Sequence, residues 1–153
     1  MIATEQSVVT RDDLGFLLAK ATQRWNQLLA DEFARAGFAE VRPSYGSVLL
    51  PLYEEDGLRI SELAHRARLS KQTLTTLIRR LERAGLVERR DDPSDGRAAL
   101  IFLTQRSQGF KPVAEVTLQM LDVLVRKRLG AEQLASLKDA LRELTELSRP
   151  AGH

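Results

Sequence analysis

The side chains best suited to binding chemistry lie in the stretch SKQTLTTLIRRLER, residues 70–83. If this stretch is helical, successive side chains are about 100° apart, and its leucine and isoleucine residues share one side. The opposite side has an amide, hydroxyls and guanidinium groups but no carboxylate: Gln72, Thr75, Thr76, Arg79 and Arg83. Such groups hydrogen-bond to base edges and phosphates in a DNA major groove. An ordinary solvated helix face is the alternative interpretation.

The first turn of this helix adds further polar groups. Ser70 is a good N-cap residue, and Ser70, Lys71 and Thr73 lie where free backbone N–H groups favour a phosphate. Across the whole face we expect base contacts from Gln72 and Thr76, and phosphate contacts from Lys71 and Arg79.

A second basic element follows, in which two strand-like segments flank the turn sequence DPSDGR. Arg89 lies in the first segment and Arg97 just beyond the tip. A hairpin tip beside a groove-bound helix can place an arginine in the neighbouring minor groove. Asp95 is expected to stabilise the hairpin by holding the Arg97 side chain with a charge-assisted hydrogen bond. The alternative is a surface salt bridge that only shapes the loop.

The basic residues concentrate where phosphate contacts are predicted. Residues 59–104 contain ten Lys/Arg and six Asp/Glu, a net charge of +4, whereas residues 1–58 contain five and nine, a net charge of −4. The remainder contributes +2, which gives the overall formal charge of +2. Because phosphate binding depends on where cations lie, the local excess is the informative quantity.

The elements that position these groups are mostly helices. Apolar residues at steps of three and four predict a helix over residues 12–36, and Pro43 suits the first turn of a second helix. A short helix around residues 60–67 precedes the basic helix, which Gly85 ends. Strands at 86–91 and 98–104 come next, and Gly130 separates two closing helices within residues 105–148. The 153 residues are predicted to form a single domain.

Composition argues against several classes of function. The chain has no cysteine, which excludes disulfides, thiolate metal sites and thiol redox chemistry. Its two histidines are not at metal-ligand spacing, and no phosphate-binding loop or catalytic triad pattern is present. We therefore expect no metal, no cofactor and no enzymatic activity. Because there is neither a membrane-spanning apolar run nor an export signal, a cytoplasmic location is expected.

The segment from Ile60 to Thr104 closely resembles the MarR family of bacterial winged-helix regulators. The similarity is carried by SELAHRARLSKQTLTTLIRRLERAGLVERR and by DPSDGRAALIFLT, where Asp95 and Arg97 match a D-x-R signature and Leu103 and Thr104 an L-T pair. The long first helix and the two closing helices extend it to nearly the whole chain. The implied fold is mainly α: a winged helix-turn-helix over residues 43–104, with a two-stranded β wing and dimerisation helices at 12–36 and 105–148.

The resemblance also implies a function. Members are expected to be homodimers that bind a palindromic operator on double-stranded DNA, more often as repressors than as activators, and are frequently released by a small aromatic or phenolic acid. By analogy Trp25 and Tyr45 are candidates for the wall of a ligand pocket, although Trp25 also suits a core position. Four positions depart from the family pattern: Arg68 and Ser107, where glycine is usual, and Pro51 and Pro112, inside helices.

The predicted helices at residues 12–36 and 105–148, hereafter the arms, favour a dimer on physical grounds too. The first helix and the leucine stripe of the last need apolar partners, and the central segment offers too little surface for both. Packing of the arms on each other within one chain is the alternative. The alternatives to a ligand-released repressor are a DNA-binding protein without an effector and a winged-helix module that binds protein.

Overall fold

The protein is mainly helical with one small antiparallel sheet, as predicted. The structure is a computed structural model that describes residues 9–152, so His153 and residues 1–8 lie outside the description. In chain order the elements are α1 (Leu14–Arg35), a 3-10 turn (Pro43–Tyr45), α2 (Gly46–Glu54), β1 (Leu58–Arg59), α3 (Ile60–Ala67), α4 (Lys71–Arg83), β2 (Val87–Asp92), β3 (Asp95–Leu103), α5 (Gln105–Leu129) and α6 (Ala131–Thr145).

The first helix begins where the sequence places a capping residue. The carboxylate of Asp13 accepts a hydrogen bond from the Phe16 N–H, which satisfies one of the free donors of the first turn. Of the predicted apolar face, only Leu29 and Phe33 are buried, and Phe33 packs edge-on against Phe110 at a ring distance of 4.7 Å. The N-terminal half of that face is exposed in the single chain.

Helices α1, α3 and α4 end in the same hydrogen-bonded motif. In each, a residue just past the helix has a left-handed backbone, and the N–H of the residue that follows it donates to the carbonyl five positions earlier. Leu69 donates in this way to Ala64, and Leu86 donates to Leu81. Glycine occupies the left-handed position after α4, as predicted from Gly85. After α3 it is Arg68, with φ 55°, so the cap has its usual geometry despite the missing glycine.

The apolar residues of α2, α3, α4 and the strands form one core. Its fully buried members come from the three helices, from β3 and from the residue before β2: Val48, Leu49, Leu52, Leu63, Leu74, Ile78, Leu81, Leu86 and Ile101. The helix α2 runs continuously through Pro51, one of the positions that depart from the family pattern. This core fixes α4 by its inner face and leaves the outer face to solvent.

The sheet has one strand more than predicted and a tighter turn. Strands β2 and β3 form the expected hairpin, but β1 pairs with the other side of β3, so the order is β1-β3-β2. Asp92 pairs with Asp95, which leaves Pro93 and Ser94 as the turn instead of the longer stretch DPSDGR. A register shift between Asp91 and Asp92 bends the strand just before the tip.

The start of α5 is fixed by a reciprocal cap. The Ser107 N–H donates to Thr104 Oγ1 at 3.3 Å, and the Thr104 N–H donates to Ser107 Oγ at 3.0 Å. The Thr104 hydroxyl donates to the Gly85 carbonyl at 2.6 Å, and the Tyr53 hydroxyl donates to the Ser107 carbonyl, also at 2.6 Å. Ser107, which departs from the family pattern, thus acts as the N3 partner of a capping box.

The chain divides into two compact units, with the boundary after Ala114 inside α5. Helix α5 continues through Pro112 to Leu129. The second unit contains the part of α5 that follows Ala114 and the whole of α6, which ends at Thr145. Gly130, with φ 84°, separates the two helices as predicted. Leu121 and Leu134 are buried, whereas many apolar residues of this unit are exposed. Within residues 9–152 no helix is both long and apolar enough to cross a membrane.

Candidate nucleic-acid interface

The N-terminal turn of α4 presents unpaired backbone donors. Ser70 Oγ accepts a hydrogen bond from the Thr73 N–H at 3.1 Å and donates to Thr73 Oγ1 at 2.9 Å. The first turn of a helix has no carbonyl partners for its own N–H groups. The N–H groups of Lys71 and Gln72 therefore point outward without an internal acceptor among the described residues. Together with the helix dipole and the Lys71 ammonium, they favour an anion.

The outer face of α4 is built from exposed polar side chains. Lys71, Gln72, Thr76 and Arg79 are exposed, and Thr75 is half-buried. The side chains of Gln72 and Arg79 make no hydrogen bond within the described part of the chain, whereas Thr75 and Thr76 donate their hydroxyl protons to the carbonyls four residues earlier, at 2.7 and 3.1 Å. The threonine oxygens thus remain available as acceptors, which suits the amino groups of cytosine or adenine.

The outer face of α4 is held rigidly by the buried inner face. Leu74, Ile78 and Leu81 are each completely buried, and no polar side chain interrupts them. Because close-packed side chains resist displacement, the helix can present its polar groups at fixed positions.

The hairpin of β2 and β3, hereafter the wing, carries Arg97 on its exposed outer part. Among the described residues, no carboxylate lies within ion-pair distance of the Arg97 guanidinium. The bond expected between Asp95 and the Arg97 side chain is therefore not formed. Asp95 Oδ1 instead accepts a hydrogen bond from the Arg97 backbone N–H at 3.1 Å, which shapes the strand and leaves the guanidinium unpaired.

The residue that fastens the wing is Asp92, which the sequence interpretation missed. Its carboxylate accepts bonds from the Ser94 N–H at 2.9 Å and the Ser94 hydroxyl at 2.7 Å, and pairs with Arg59 of β1 at 2.6 Å. The Ser94 hydrogen bonds, followed by the Arg59 guanidinium, hold the pKa of Asp92 below its ordinary value. The sequence signal is the order Asp-Pro-Ser, in which an aspartate bonds two residues ahead across a turn.

Arg89 is placed differently from the other predicted contact residues. Its Nε donates to Glu82 Oε1 at 2.8 Å, an ion pair that joins β2 to α4. The next residue, Arg90, pairs with Glu88 and lies 4.2 Å from the centre of the Phe102 ring. The Arg89 ion pair therefore orients the wing relative to α4, whereas the contacts of Arg90 lie within the wing itself. Arg97 is the wing arginine with the freest side chain.

The two residues proposed for a ligand wall lie in different surroundings. Tyr45 is buried and lines a groove together with Arg42 and Arg80, whereas Trp25 is half-buried and does not line it. Within residues 9–152 no cluster of three or more histidine, aspartate or glutamate side chains has the arrangement of a metal site.

Sequence comparison finds relatives among transcriptional regulators. A sequence model described as the MarR family matches residues 42–99. The HTH-type transcriptional regulator TtmR of Methylorubrum extorquens is 39% identical over 102 residues, which are 61% of this chain and 51% of TtmR, so the match spans about half of that relative. The HTH-type transcriptional repressor Rv2887 of Mycobacterium tuberculosis is 32% identical over 119 residues, 69% of this chain and 86% of the relative.

Solved structures share the fold. PcaV from Streptomyces coelicolor, in complex with its natural ligand, superposes with a TM-score of 0.76 at 24% identity over 97% of this chain and all of that one. A mutant form of MarR from E. coli, complexed with operator DNA, gives a TM-score of 0.76 at 23% identity over 92% of this chain and 99% of that one. The strand β3 signature, the capped helix α4 and these similarities together show that the chain belongs to the MarR family of winged-helix transcriptional regulators.

Proposed function

We propose that this protein is a homodimeric, sequence-specific DNA-binding repressor that inserts α4 into the major groove. The observation that carries the proposal is the outer face of α4, which is exposed, free of carboxylates and backed by a fully apolar inner face. The free N–H groups of its first turn suit a phosphate, and its side chains suit base edges.

The contacts of α4 divide by chemistry. Gln72 has an unpaired amide that can bond an adenine in bidentate fashion, and Thr76 retains an acceptor oxygen. Lys71 and Arg79 bind the phosphates on either side, and Ser70, Thr73 and Thr75 hold the turn that presents them. Phosphate contacts position the helix, and base contacts give the sequence preference.

The wing supplies a second point of contact. Arg97 is exposed and unpaired among the described residues, and the wing that carries it is tied to β1 through Asp92 and Arg59. A guanidinium delivered by a fixed hairpin can enter a narrow minor groove, where the potential is most negative. Arg89 contributes from the base of the wing while paired with Glu82.

Dimerisation is supported by apolar surface left open in the single chain. In α1, Leu14 and Leu17 are 57% and 48% exposed, and in α5, Val116 and Leu124 are 66% and 50% exposed. A monomer seldom leaves so many large apolar side chains in water. A second copy of the chain covers them and places two α4 helices about one DNA turn, roughly 34 Å, apart.

Repression and ligand release rest on the relatives. Rv2887 is named a transcriptional repressor, and the PcaV structure contains its natural ligand. By extension a small ligand, for example an aromatic or phenolic acid, favours a dimer state whose α4 helices no longer match the operator. The free energy by which the ligand can shift the equilibrium between the two dimer states equals the difference between its binding free energies for them.

The test is selection of bound fragments from a random pool of duplex DNA, with the purified chain at two salt concentrations. We expect a palindrome whose half-sites are about ten base pairs apart, and an affinity that falls steeply with salt. A pool that shows no enrichment, or an affinity independent of salt, would rule out the proposal in favour of a protein-binding role.

A further inference from the structure

The segment that joins α1 to the 3-10 turn is held by one side chain of α5. Arg106 Nε donates to Glu40 Oε1 at 2.7 Å, and Arg106 Nη2 donates to the Gly37 carbonyl, also at 2.7 Å. The central carbon of the same guanidinium lies 3.9 Å from the centre of the Phe38 ring, in the range of a cation–π contact. One guanidinium group therefore contacts three residues of the segment 36–42, hereafter the connector.

The contacts of Arg106 are directional, unlike the apolar contacts beside them. Phe33, near the end of α1, and Phe38 both pack on Phe110 of α5, at ring distances of 4.7 and 5.3 Å. Because burial of apolar surface has no preferred direction, these rings hold the end of α1 against α5 but restrict its angle only weakly. The planar guanidinium fork permits fewer orientations. The Arg106 contacts therefore set the angle between α1 and the start of α5.

The backbone of Arg106 is in turn tied to the end of α4. Arg106 is the second residue of α5 and lies between the two partners of the capping box, Thr104 and Ser107. The Thr104 hydroxyl donates to the carbonyl of Gly85, just past α4, and the Thr104 N–H lies 3.3 Å from the Leu86 carbonyl. A continuous path of contacts therefore runs from the end of α4 through the start of α5 to the end of α1.

The geometry of α1 makes its far end sensitive to this angle. The buried apolar residues of α1 are Leu29 and Phe33, both in its C-terminal half, whereas Leu14 and Leu17 at its start are exposed. The helix has 22 residues and is thus about 33 Å long. A rotation of about 10° about its C-terminal end displaces its first turn by about 6 Å, nearly one helical pitch. In a dimer formed through α1, such a displacement alters the distance between the two α4 helices.

We infer that Arg106 is a positioning residue that sets the half-site spacing of the operator. The inference rests on the proposed function, because it needs two α4 helices in one dimer. The side chains of Arg106 and Glu40 are 45% and 35% exposed, and exposed ion pairs contribute little to folding stability. Loss of the pair therefore leaves the fold intact and releases the angle of α1. An operator with the wrong spacing must strain or break the Arg106 contacts, and a chain without them offers no such resistance.

The test compares the affinity of the full chain for the selected operator with that for duplexes having one base pair added or removed at the centre. Each such change moves one half-site by about 3.4 Å and rotates it by about 35°. The wild type should prefer one spacing. In Arg106→Gln this preference should fall about three- to tenfold, the equivalent of one lost hydrogen bond. The matched control is Arg35→Gln, which removes the same charge at the end of α1 but breaks only a pair with Glu32 within that helix, and it should keep the wild-type preference.

Two further variants separate positioning from a direct phosphate contact. Glu40→Ala leaves the charge of Arg106 in place and should weaken the spacing preference as Arg106→Gln does. Arg106→Lys also keeps the charge but lacks the planar fork, and it too should weaken the preference. If Arg106 instead bound phosphate, Glu40→Ala would raise the affinity for every duplex and leave the spacing preference unchanged. That result, or a wild-type preference in Arg106→Lys, would overturn the inference.

A measurement without DNA tests the angle of α1 itself. The chain has no cysteine, so spin labels can be attached at Arg24→Cys in α1 and Thr76→Cys in α4, two exposed positions. Dilution with unlabelled protein restricts the measured distances to those within one chain. We expect a narrow distance distribution with Arg106 present and a broader or shifted one in Arg106→Gln, whereas Arg35→Gln should leave it unchanged. An identical distribution in Arg106→Gln would overturn the inference.

The outcomes distinguish this inference from the proposed function. Sequence-specific DNA binding with an unchanged spacing preference in Arg106→Gln refutes the inference alone. Absence of sequence-specific binding by the wild type refutes the proposed function, and with it the role of Arg106 in spacing. Thermal unfolding of each variant shows whether a lost preference reflects lost folding, and the expected unfolding temperatures are close to that of the wild type.

Discussion

Replacement of Gln72 by alanine tests whether α4 reads bases. The Gln72 side chain is exposed and makes no hydrogen bond to the described residues, and only its backbone carbonyl is used, by Thr76. The substitution should therefore leave the free energy of unfolding nearly unchanged, since alanine is also a good helix former. Any loss of DNA affinity then reports on the contact itself.

The expected loss follows from the contact and the symmetry. A bidentate pair between an amide and a base contributes about 1–3 kcal/mol of discrimination, and a dimer forms it twice. The selected operator should thus bind about 2–6 kcal/mol more weakly, at least about 30-fold, while random DNA should bind as before.

Fluorescence anisotropy with the selected operator and with a scrambled duplex of equal length measures both affinities. Lys71→Ala is the matched control on the adjacent position, because loss of a phosphate contact should weaken both duplexes to a similar extent. Equal losses on the two duplexes for Gln72→Ala would show that this residue contacts phosphate only, and the assignment of base reading to it would be wrong.

Further predictions concern the wing and the arms. Arg97→Ala should weaken operator binding by about 1–3 kcal/mol and flatten the preference for A·T flanks in the same assay; unchanged affinity would remove the wing from the mechanism. Asp92→Asn should accelerate amide hydrogen exchange in the wing at neutral pH. Because the pKa of Asp92 is lowered, the stabilisation of the wild-type wing is present above the ordinary pKa of 3.8 and is lost as the pH falls through the lower folded value. Exchange that is as slow in the variant as in the wild type at neutral pH would refute the anchoring role. Leu17→Glu should convert a dimer to monomers in sedimentation while Lys20→Glu does not, and a dimer that survives Leu17→Glu would exclude α1 from the interface.

The helices were predictable because their signals are local. A capping aspartate, a glycine at a left-handed position and apolar residues at steps of three and four set the limits of α1 and α4 to within about two residues. The end of α3 was also placed correctly, although Arg68 and not glycine takes the left-handed conformation there. Strand β1 is two residues long, and its formation depends on pairing with β3 more than forty residues away. No local pattern encodes such a pairing.

The sequence predicted which side chains of α4 face outward, but it did not predict which hydrogen bonds and ion pairs the residues of the interface form with one another. The helical period places Gln72, Thr76 and Arg79 outward whatever their neighbours. The partner of a flexible charged side chain depends on distances across the fold, and so the pairing of Arg89 with Glu82 and the anchoring by Asp92 were not foreseen. The same reason explains why Asp95 bonds the backbone of Arg97 and not its side chain.

The most direct test of the central claim, that α4 enters the major groove twice per dimer, uses the absence of cysteine from this chain. Thr76→Cys provides a single thiol on the outer face of α4, to which an iron-EDTA cleavage reagent can be attached. On the selected operator, we predict cleavage at two symmetric positions about ten base pairs apart, facing the major groove. Ser47→Cys, an exposed position on α2, is the control and should give no such pair of cuts. Uniform cleavage along the duplex from position 76, or a pattern identical to that from position 47, would contradict the account.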